Sequence, residues 1–263
     1  MNTSETRRTT GQHRHGGRPG LLAGARSVLA VVAHPDDESF GLGAVLSYLT
    51  ATGTPCAVLC FTRGEASTLR GAGETSAADL AAVRSAEFAA AARVLGLSGA
   101  ELLSYPDAGL GRVPLDELAG LARQAAGQVG ATHLLAFDAD GVTGHPDHAR
   151  ATEAALAAAA DLGFPVLGWT LPQRVARQLN AEFGTAFTGH ADPSMALRLA
   201  VDRQPQRLAI ACHHSQSAAN PVLWRRLELL GDAEYLRILR PGALCVLFEI
   251  LCPTGGLPHP RRP

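Results

Sequence analysis

The chain has 263 residues, of which 46% are hydrophobic, and its formal net charge is −1. This size and composition indicate a globular protein with one sizeable core, and the balanced charge gives no field that would gather nucleic acid or an anionic membrane. All 23 basic residues are arginine. The absence of lysine excludes a Walker-type phosphate loop, pyridoxal phosphate chemistry and Schiff-base chemistry, because each of these needs a lysine amine.

Both ends of the chain are polar and rich in glycine or proline. We expect residues 1–24 to be a disordered basic leader without the apolar stretch of a signal peptide, residues 25–252 to form a single domain and residues 253–263 to be a flexible tail. No segment is apolar over the length of a membrane span. An odd number of cysteines without a close C-x-x-C pair favours buried thiols and a reducing, cytoplasmic location; these are Cys56, Cys60, Cys212, Cys245 and Cys252.

Short apolar runs alternate with segments of helical periodicity along the chain. The apolar runs predict strands over residues 27–32, 54–61, 101–105, 132–137 and 164–169. The periodic segments predict helices over residues 39–52, 77–95, 115–129 and 147–160, and two further apolar segments lie at residues 207–213 and 244–251. This alternation predicts a doubly wound α/β fold, a Rossmann-like three-layer sandwich with a mostly parallel sheet.

Two clusters of histidine and aspartate follow predicted strands. The sequence AHPDDE, residues 33–38, comes directly after the first strand, and GHPDH, residues 144–148, lies in the loop after the fourth strand. Open α/β sheets bind their ligands outside the carboxyl ends of the strands. We therefore expect the two clusters to form one site at this edge of the sheet.

The residue types in these clusters favour a catalytic metal. His34, Asp37 and His148 supply the nitrogen and oxygen ligands that zinc uses when a fourth position stays open for water. Such a shell lowers the pKa of the bound water from about 16 to about 7. Other divalent metals bind similar ligands. A single histidine is more often a surface or core residue than a ligand, so the prediction rests on the two clusters together.

The neighbours of these ligands suggest further roles. Asp36 lies beside a ligand and suits the general base that deprotonates the water. His145 can protonate the leaving amine or stabilise the developing oxyanion. Asp147 can hydrogen-bond one of the imidazoles and fix its tautomer.

These motifs resemble those of the PIG-L/LmbE-like de-N-acetylases, whose hallmarks are an AHPDDE stretch and a later HPDH. Further segments are similar in the same order along the chain, from about residue 28 to residue 216, which covers most of the predicted domain. They are FTRGE at residues 61–65, the R-x-x-E of Arg84 and Glu87, YPDAGL at residues 105–110, and a late His-x-Ser-Gln stretch at residues 213–216.

The resemblance implies a zinc hydrolase with ligands His34, Asp37 and His148, base Asp36 and acid or electrostatic helper His145. It also implies that Arg84 and Asp107 hold sugar hydroxyls and that His213 supports the site from behind. For Arg84, an i,i+3 ion pair with Glu87 is an equally good interpretation. Some relatives carry a tyrosine where this chain has Thr143, so zinc and His145 would have to stabilise the oxyanion here.

The sequence therefore leads to a ranked set of functions. The first is removal of an N-acetyl group from an amino sugar of the N-acetylglucosamine type, or from a glycoconjugate that carries one. The second keeps the family but changes the substrate to a thiol-conjugate amide or an acylated natural-product glycoside. The third is a non-catalytic sugar-binding protein, which would need a damaged site. A nucleotide-binding protein is disfavoured because HPDD replaces the G-x-G-x-x-G motif after the first strand. A small amino sugar is the expected partner, and the sequence leaves open whether the chain forms a homo-oligomer.

Overall fold

The computed structural model describes residue 22 and residues 24–69, 76–191 and 194–242. Within these ranges, strands and helices alternate as predicted. In chain order they are β1 (Val28–Val32), α1 (Asp37–Phe40), α2 (Gly43–Ala51), β2 (Cys56–Thr62), α3 (Ala77–Val94), β3 (Gly99–Tyr105), a 3-10 turn (Leu110–Arg112), α4 (Leu115–Gln128), β4 (His133–Phe137), α5 (Pro146–Leu162), β5 (Val166–Thr170), α6 (Gln173–Phe183), β6 (Leu197–Ala200), α7 (Arg203–Cys212), α8 (His214–Ser217), α9 (Pro221–Leu230) and β7 (Ala233–Arg240).

The strands form one mixed sheet in the order β3-β2-β1-β4-β5-β7-β6. The first five of these positions are parallel, with Val28 of β1 opposite Cys56 on one side and opposite His133 on the other. Strand β7 then pairs antiparallel with both β5 and β6. The predicted fold class, a three-layer α/β sandwich with a mostly parallel sheet, is confirmed.

The residues of β1 divide between two apolar cores. Val28, Ala30 and Val32 pack into the core on the face covered by α2, α3, α6 and α7. The alternate residues Leu29 and Val31 pack into the core on the face covered by α4 and α5. Because successive side chains of a strand point to opposite faces, a strand buried on both faces is apolar throughout, as the sequence of β1 is.

The site lies where the strand order reverses. The chain passes from β1 to β2 and β3 on one side, and β4 and β5 lie on the other. The loops after β1 and β4 therefore leave neighbouring strands at the same edge of the sheet and diverge there. This is the topological switch point at which α/β proteins bind their ligands.

The helix predicted over residues 39–52 is in fact two helices, α1 and α2, separated at Gly41 and Leu42. Gly41 lies so close to Phe137 that a Cβ atom there would be 2.6 Å from the phenyl ring. The short α1 can therefore lie against the end of β4, which brings its first residue, Asp37, next to the loop after β4. A continuous helix would not allow this approach.

The antiparallel edge of β6 and β7 was not predicted. The apolar segment predicted at residues 244–251 and the tail at residues 253–263 lie outside the described residues, as does the predicted leader apart from Leu22 and Gly24. Leu22 is fully buried in the core. Among the helices of the described ranges, none is long and apolar enough to cross a membrane.

Candidate metal site

Three side chains from the two predicted clusters converge at the carboxyl ends of β1 and β4. His34 Nδ1 lies 3.0 Å from His148 Nε2, and His148 Nε2 lies 3.1 Å from Asp37 Oδ1. His34 Nδ1 and Asp37 Oδ2 are 3.8 Å apart. All three residues are at least nine-tenths buried. The structure thus brings together the three residues predicted as metal ligands.

The carboxylate of Asp37 is fixed by backbone amides. Its Oδ2 accepts hydrogen bonds from the amides of Ala33 and His34, at 3.1 and 2.9 Å. Burial opposes ionisation of this carboxyl, yet the electrostatic attraction and hydrogen bond of His148, together with His34, hold its pKa well below its usual range. Asp37 therefore keeps its charge, and its Oδ1 is directed towards His148.

The far nitrogen of His34 faces two further carboxylates. His34 Nε2 lies 3.0 Å from Asp107 Oδ1 and 3.6 Å from Asp147 Oδ2, distances of ion pairs that are not aligned as hydrogen bonds. Burial lowers the pKa of His34, but Asp107, Asp147 and Asp37 outweigh it and raise the pKa to about 10. These carboxylates favour a positive charge at His34. Either a proton on the imidazole or a divalent cation bound to it would provide this charge.

His148 is held by Thr143, the residue two positions before His145. Thr143 Oγ1 lies 2.7 Å from His148 Nδ1. When the hydroxyl oxygen accepts from Nδ1–H, the lone pair of Nε2 is free to face His34 and Asp37. This is the usual arrangement of a metal-binding histidine, whose second nitrogen donates to a neighbouring acceptor.

The donor set suits a small divalent cation. Ligand distances of about 2.0–2.2 Å around a tetrahedral zinc place neighbouring donor atoms roughly 3.3 Å apart, and His148 Nε2 lies close to this separation from both His34 Nδ1, at 3.0 Å, and Asp37 Oδ1, at 3.1 Å. Two imidazoles and one carboxylate also leave a fourth position open. A second donor group of His34, Asp107 and His145 converges as well, but it uses the nitrogen of His34 that faces Asp107.

Asp36 is held beside this group by a buried arginine. Arg84 Nη2 donates to Asp36 Oδ2 at 2.9 Å and also to the carbonyl oxygen of Pro35. The backbone of Asp36 has φ of 117°, a region that costs a non-glycine residue about 1–3 kcal/mol. Burial raises the pKa of Asp36 to about 6, against the lowering effect of Arg84. Arg84 thus fixes the orientation of the predicted base.

The packing around Arg84 requires Gly64. Arg84 Nη1 donates to the Gly64 carbonyl oxygen at 2.6 Å, and a Cβ atom at Gly64 would lie 2.0 Å from the same nitrogen. Gly64 also has φ of 66°, which favours glycine. The FTRGE segment after β2 therefore seats Arg84 against the backbone of the AHPDDE segment after β1.

His145 closes the group from the start of α5. Its ring meets that of His34 edge-on, with centroids 4.6 Å apart. The Asp147 amide donates to His145 Nδ1 at 3.2 Å, so His145 caps the helix that carries His148. Burial, followed by the positive charges of His34 and His148, lowers the pKa of His145. A neutral ring whose Nδ1 accepts carries its proton on Nε2.

The predicted supporting residue His213 lies below the site. It is fully buried and its Nε2 lies 2.6 Å from Glu38 Oε1. The other oxygen of Glu38 accepts from the amide of Asp36 at 2.9 Å. Burial opposes a charge on His213, but Glu38 raises its pKa. His213 thus supports the strained backbone of Asp36 through Glu38, a link that no local sequence signal indicates.

The residues predicted to hold sugar hydroxyls are engaged by the protein. Asp107 accepts from the amides of Ala66 and Ala108 at 2.9 and 2.7 Å, in addition to its contact with His34. The predicted pair of Arg84 with Glu87 is not formed, because Glu87 accepts from the amide and hydroxyl of Ser215 at 2.8 and 2.7 Å. Direct contact of Arg84 and Asp107 with substrate stays a prediction.

The site opens into a cavity of about 600 Å³ with two kinds of wall. One, the metal wall, consists of His34, Asp36, Asp37, His145 and His148. The other, the carboxy-terminal wall, comes from the last third of the chain and consists of Phe187, Gln216, Asn220, Val222, Leu223 and Arg226. The volume lies within the range of sites that enclose small organic ligands.

Fold and donor set together define the class of this protein: a Rossmann-like α/β protein with a candidate metal site at the carboxyl edge of its parallel sheet. Residues 29–159 match the family described as PIG-L, GlcNAc-PI de-N-acetylase. The chain belongs to this PIG-L family, as the AHPDDE and HPDH motifs predict.

One curated relative is the 1D-myo-inositol 2-acetamido-2-deoxy-alpha-D-glucopyranoside deacetylase of Rhodococcus erythropolis. It is 32% identical over 179 residues, an alignment that covers 58% of this chain and 61% of the relative. The chain thus spans somewhat more than half the length of this relative. The name of this relative describes a deacetylase that acts on an N-acetylated sugar.

Solved structures share the fold at low sequence identity. The N,N'-diacetylchitobiose deacetylase of Pyrococcus horikoshii is 22% identical, with a TM-score of 0.59 over 83% of this chain and 85% of that one. The 4-carboxy-2-hydroxymuconate hydratase GalB of Pseudomonas putida is 19% identical, with a TM-score of 0.64 over 82% and 97%. A deacetylase and a hydratase therefore share this architecture, so the reaction has to be argued from the site.

Proposed function

We propose that this chain is a zinc-dependent hydrolase that removes an N-acetyl group from an amino sugar of the N-acetylglucosamine type or from a glycoconjugate that carries one. The observation that carries this proposal is the convergence of His34, Asp37 and His148 beside the partly buried carboxylate of Asp36, on the wall of a cavity. Membership of the PIG-L family and the deacetylase name of the Rhodococcus relative support an amide as the substrate.

The metal would be held by His34 Nδ1, His148 Nε2 and Asp37 Oδ1. A divalent metal in such a site lowers the pKa of water and polarises a carbonyl group. Asp36 accepts a proton from the attacking water, and its pKa of about 6 suits a base that works near neutral pH. The same carboxyl group can then give this proton to the nitrogen of the leaving amine, so that acetate and a free amino sugar result.

His145 would stabilise the oxyanion rather than act as the acid. Its Nδ1 accepts from the Asp147 amide, so the proton of the neutral ring lies on Nε2, from which it can be donated to a developing negative charge. This role fits the replacement of tyrosine by Thr143, since the threonine hydroxyl contacts His148 instead. His145 would then be the protein group that stabilises the oxyanion, and a bound metal would add positive charge there.

Arg84 and Asp107 would act by positioning other groups. Arg84 holds the base through Asp36 Oδ2, and Asp107 faces His34 Nε2. Asp147 also faces this nitrogen. The two carboxylates would keep the proton of His34 on Nε2 and leave Nδ1 free for the metal. Contact of Arg84 and Asp107 with substrate hydroxyls stays a prediction beside these positioning roles.

The deciding experiment is release of acetate from a panel of N-acetyl amino sugars by the purified chain. We expect release that stops after treatment with a chelator and returns when zinc is added. Longer acyl groups on the same sugars test the alternative of an acylated natural-product glycoside. A thiol-conjugate amide, assayed in the same way, tests the alternative of an amidase for such conjugates. If the zinc-loaded chain hydrolyses none of these amides, the proposal is wrong. Zinc as the native metal, the cytoplasmic location and the oligomeric state stay predictions.

A further inference from the structure

Arg226 is a buried cation on the carboxy-terminal wall of the cavity. It is 5% exposed and lies on α9. The other enclosed arginines have carboxylate partners: Arg84 pairs with Asp36, and Arg203 pairs with Glu234. Within the described ranges, Arg226 has no carboxylate oxygen within ion-pair distance, 4.0 Å. This contrast distinguishes it from arginines that are neutralised by the protein itself.

The contacts that Arg226 does make leave part of its guanidinium unused. Nη2 donates to the Phe40 carbonyl oxygen at 2.5 Å, and the guanidinium lies over the ring of Trp169, 5.0 Å from its centroid. Its Nε–H is buried without an acceptor among the described residues. Among the described residues, the direct contacts of the guanidinium are therefore one carbonyl oxygen and one aromatic face, and the carboxylates of Glu234, Asp37 and Asp36 act on it only from beyond ion-pair distance.

Such an arrangement is costly unless a further anion completes it. Burying a charge without a counter-charge is unfavourable, and a cation–π contact offsets only part of this cost. Glu234 does not serve, because it already binds Trp169 Nε1 and Arg203. Burial lowers the pKa of Arg226 to about 10, with Glu234 acting against this shift, so the guanidinium stays charged at neutral pH.

The position of Arg226 directs the missing anion into the cavity. Arg226 lines the cavity together with Leu223 and Phe40. The Phe40 carbonyl that it binds ends α1, the helix that begins at the proposed metal ligand Asp37. We propose that Arg226 recognises an anionic group of the carboxylate or phosphate type on the amino-sugar substrate, an inference that rests on the proposed function and narrows its substrate class.

The test compares binding of anionic and neutral ligands to the full chain after removal of metal. Calorimetry with N-acetylmuramic acid, N-acetylglucosamine 6-phosphate and N-acetylglucosamine gives three dissociation constants, and the first two distinguish a carboxylate from a phosphate. We expect the wild-type chain to bind at least one anionic ligand about ten- to a hundredfold more tightly than the neutral sugar, as expected for hydrogen bonds to a charged group. Equal affinities in the wild-type chain would overturn the proposal without any variant.

Two arginine variants locate the effect. Arg226→Met should reduce the ratio of anionic to neutral affinity to about one, whereas Arg226→Lys should retain part of it. The matched control is Arg207→Met, which removes the same charge from an exposed residue on α7 outside the cavity. If Arg226→Met weakens all three ligands equally, Arg226 is only structural and the inference is wrong. If anionic ligands bind preferentially but the zinc-loaded chain hydrolyses neither them nor any amide of the substrate panel, recognition stands and the proposed deacetylase activity is wrong.

Discussion

The two walls of the cavity differ in how their polar side chains are neutralised. On the metal wall each charged group has a protein partner: His34 faces Asp107, Asp37 accepts two amides, and Asp36 is paired with Arg84. The carboxy-terminal wall combines apolar side chains with amide groups, and its cation Arg226 has no carboxylate partner in the described part of the chain. A preorganised wall suits reaction chemistry, because its dipoles need not reorganise during the reaction. The other wall suits selection of the substrate.

Because of this difference, we expect variants of the two walls to change different properties of the enzyme. Changes on the metal wall should alter the rate or the metal content and leave the order of preference among substrates in place. Changes on the carboxy-terminal wall, as tested above through Arg226, should alter that order. A variant of the metal wall that reorders substrates would contradict the comparison.

The largest effect is expected for the base. Asp36→Asn keeps the shape of the side chain but removes the proton acceptor, so we expect kcat for acetate release to fall by about 10²–10⁴. The three metal ligands are unchanged, and zinc content measured on the purified variant should therefore stay near that of the wild type. Asp161→Asn, at an exposed carboxylate paired with Arg123 far along α5, is the control and should keep both values. A near-normal rate in Asp36→Asn would remove Asp36 from the mechanism.

The next effect concerns Arg84 and separates its two proposed roles. If Arg84 positions Asp36, Arg84→Met should lower kcat by about a hundredfold, a typical result of a misplaced catalytic group, with little change in KM. If Arg84 instead holds sugar hydroxyls, KM should rise. Gly64→Ala gives an independent check, because its Cβ would displace the guanidinium without removing the charge. A rise in KM alone, in either variant, would contradict the positioning role.

The sequence was informative where chemistry and periodicity coincide. The apolar run of β1 and the AHPDDE segment directly after it predicted both the strand and the site, because the carboxyl end of a parallel strand is a place for ligands. The same reasoning applied to HPDH after β4. The convergence of His34, Asp37 and His148 beside Asp36 could therefore be predicted from the amino-acid sequence alone.

Contacts between distant segments could not be predicted in this way. Glu87 lies three residues after Arg84, which suggests a helical ion pair. In the structure, however, Ser215 on α8 donates a hydrogen bond to Glu87. Arg84 donates to Asp36 instead. The half-exposed strand β6 and its partner β7 carry little periodic signal. Tertiary packing determines these side-chain partners and these strands, and the local pattern of a single sequence does not predict such packing.

The smallest effect on the metal wall is expected for Thr143. Its hydroxyl lies 2.7 Å from His148 Nδ1, and loss of a group that orients a metal-binding histidine typically costs about ten- to a hundredfold in metal affinity. Thr143→Val should weaken zinc binding by this factor, measured by competition with a chromogenic chelator. Thr188→Val is the matched control, since Thr188 is also half-buried and its hydroxyl contacts only the Val142 carbonyl oxygen, at 3.4 Å. If both variants keep wild-type zinc affinity, His148 is oriented by its backbone and by packing against Phe137, and the metal wall is less dependent on polar pairing than the comparison of the two walls implies.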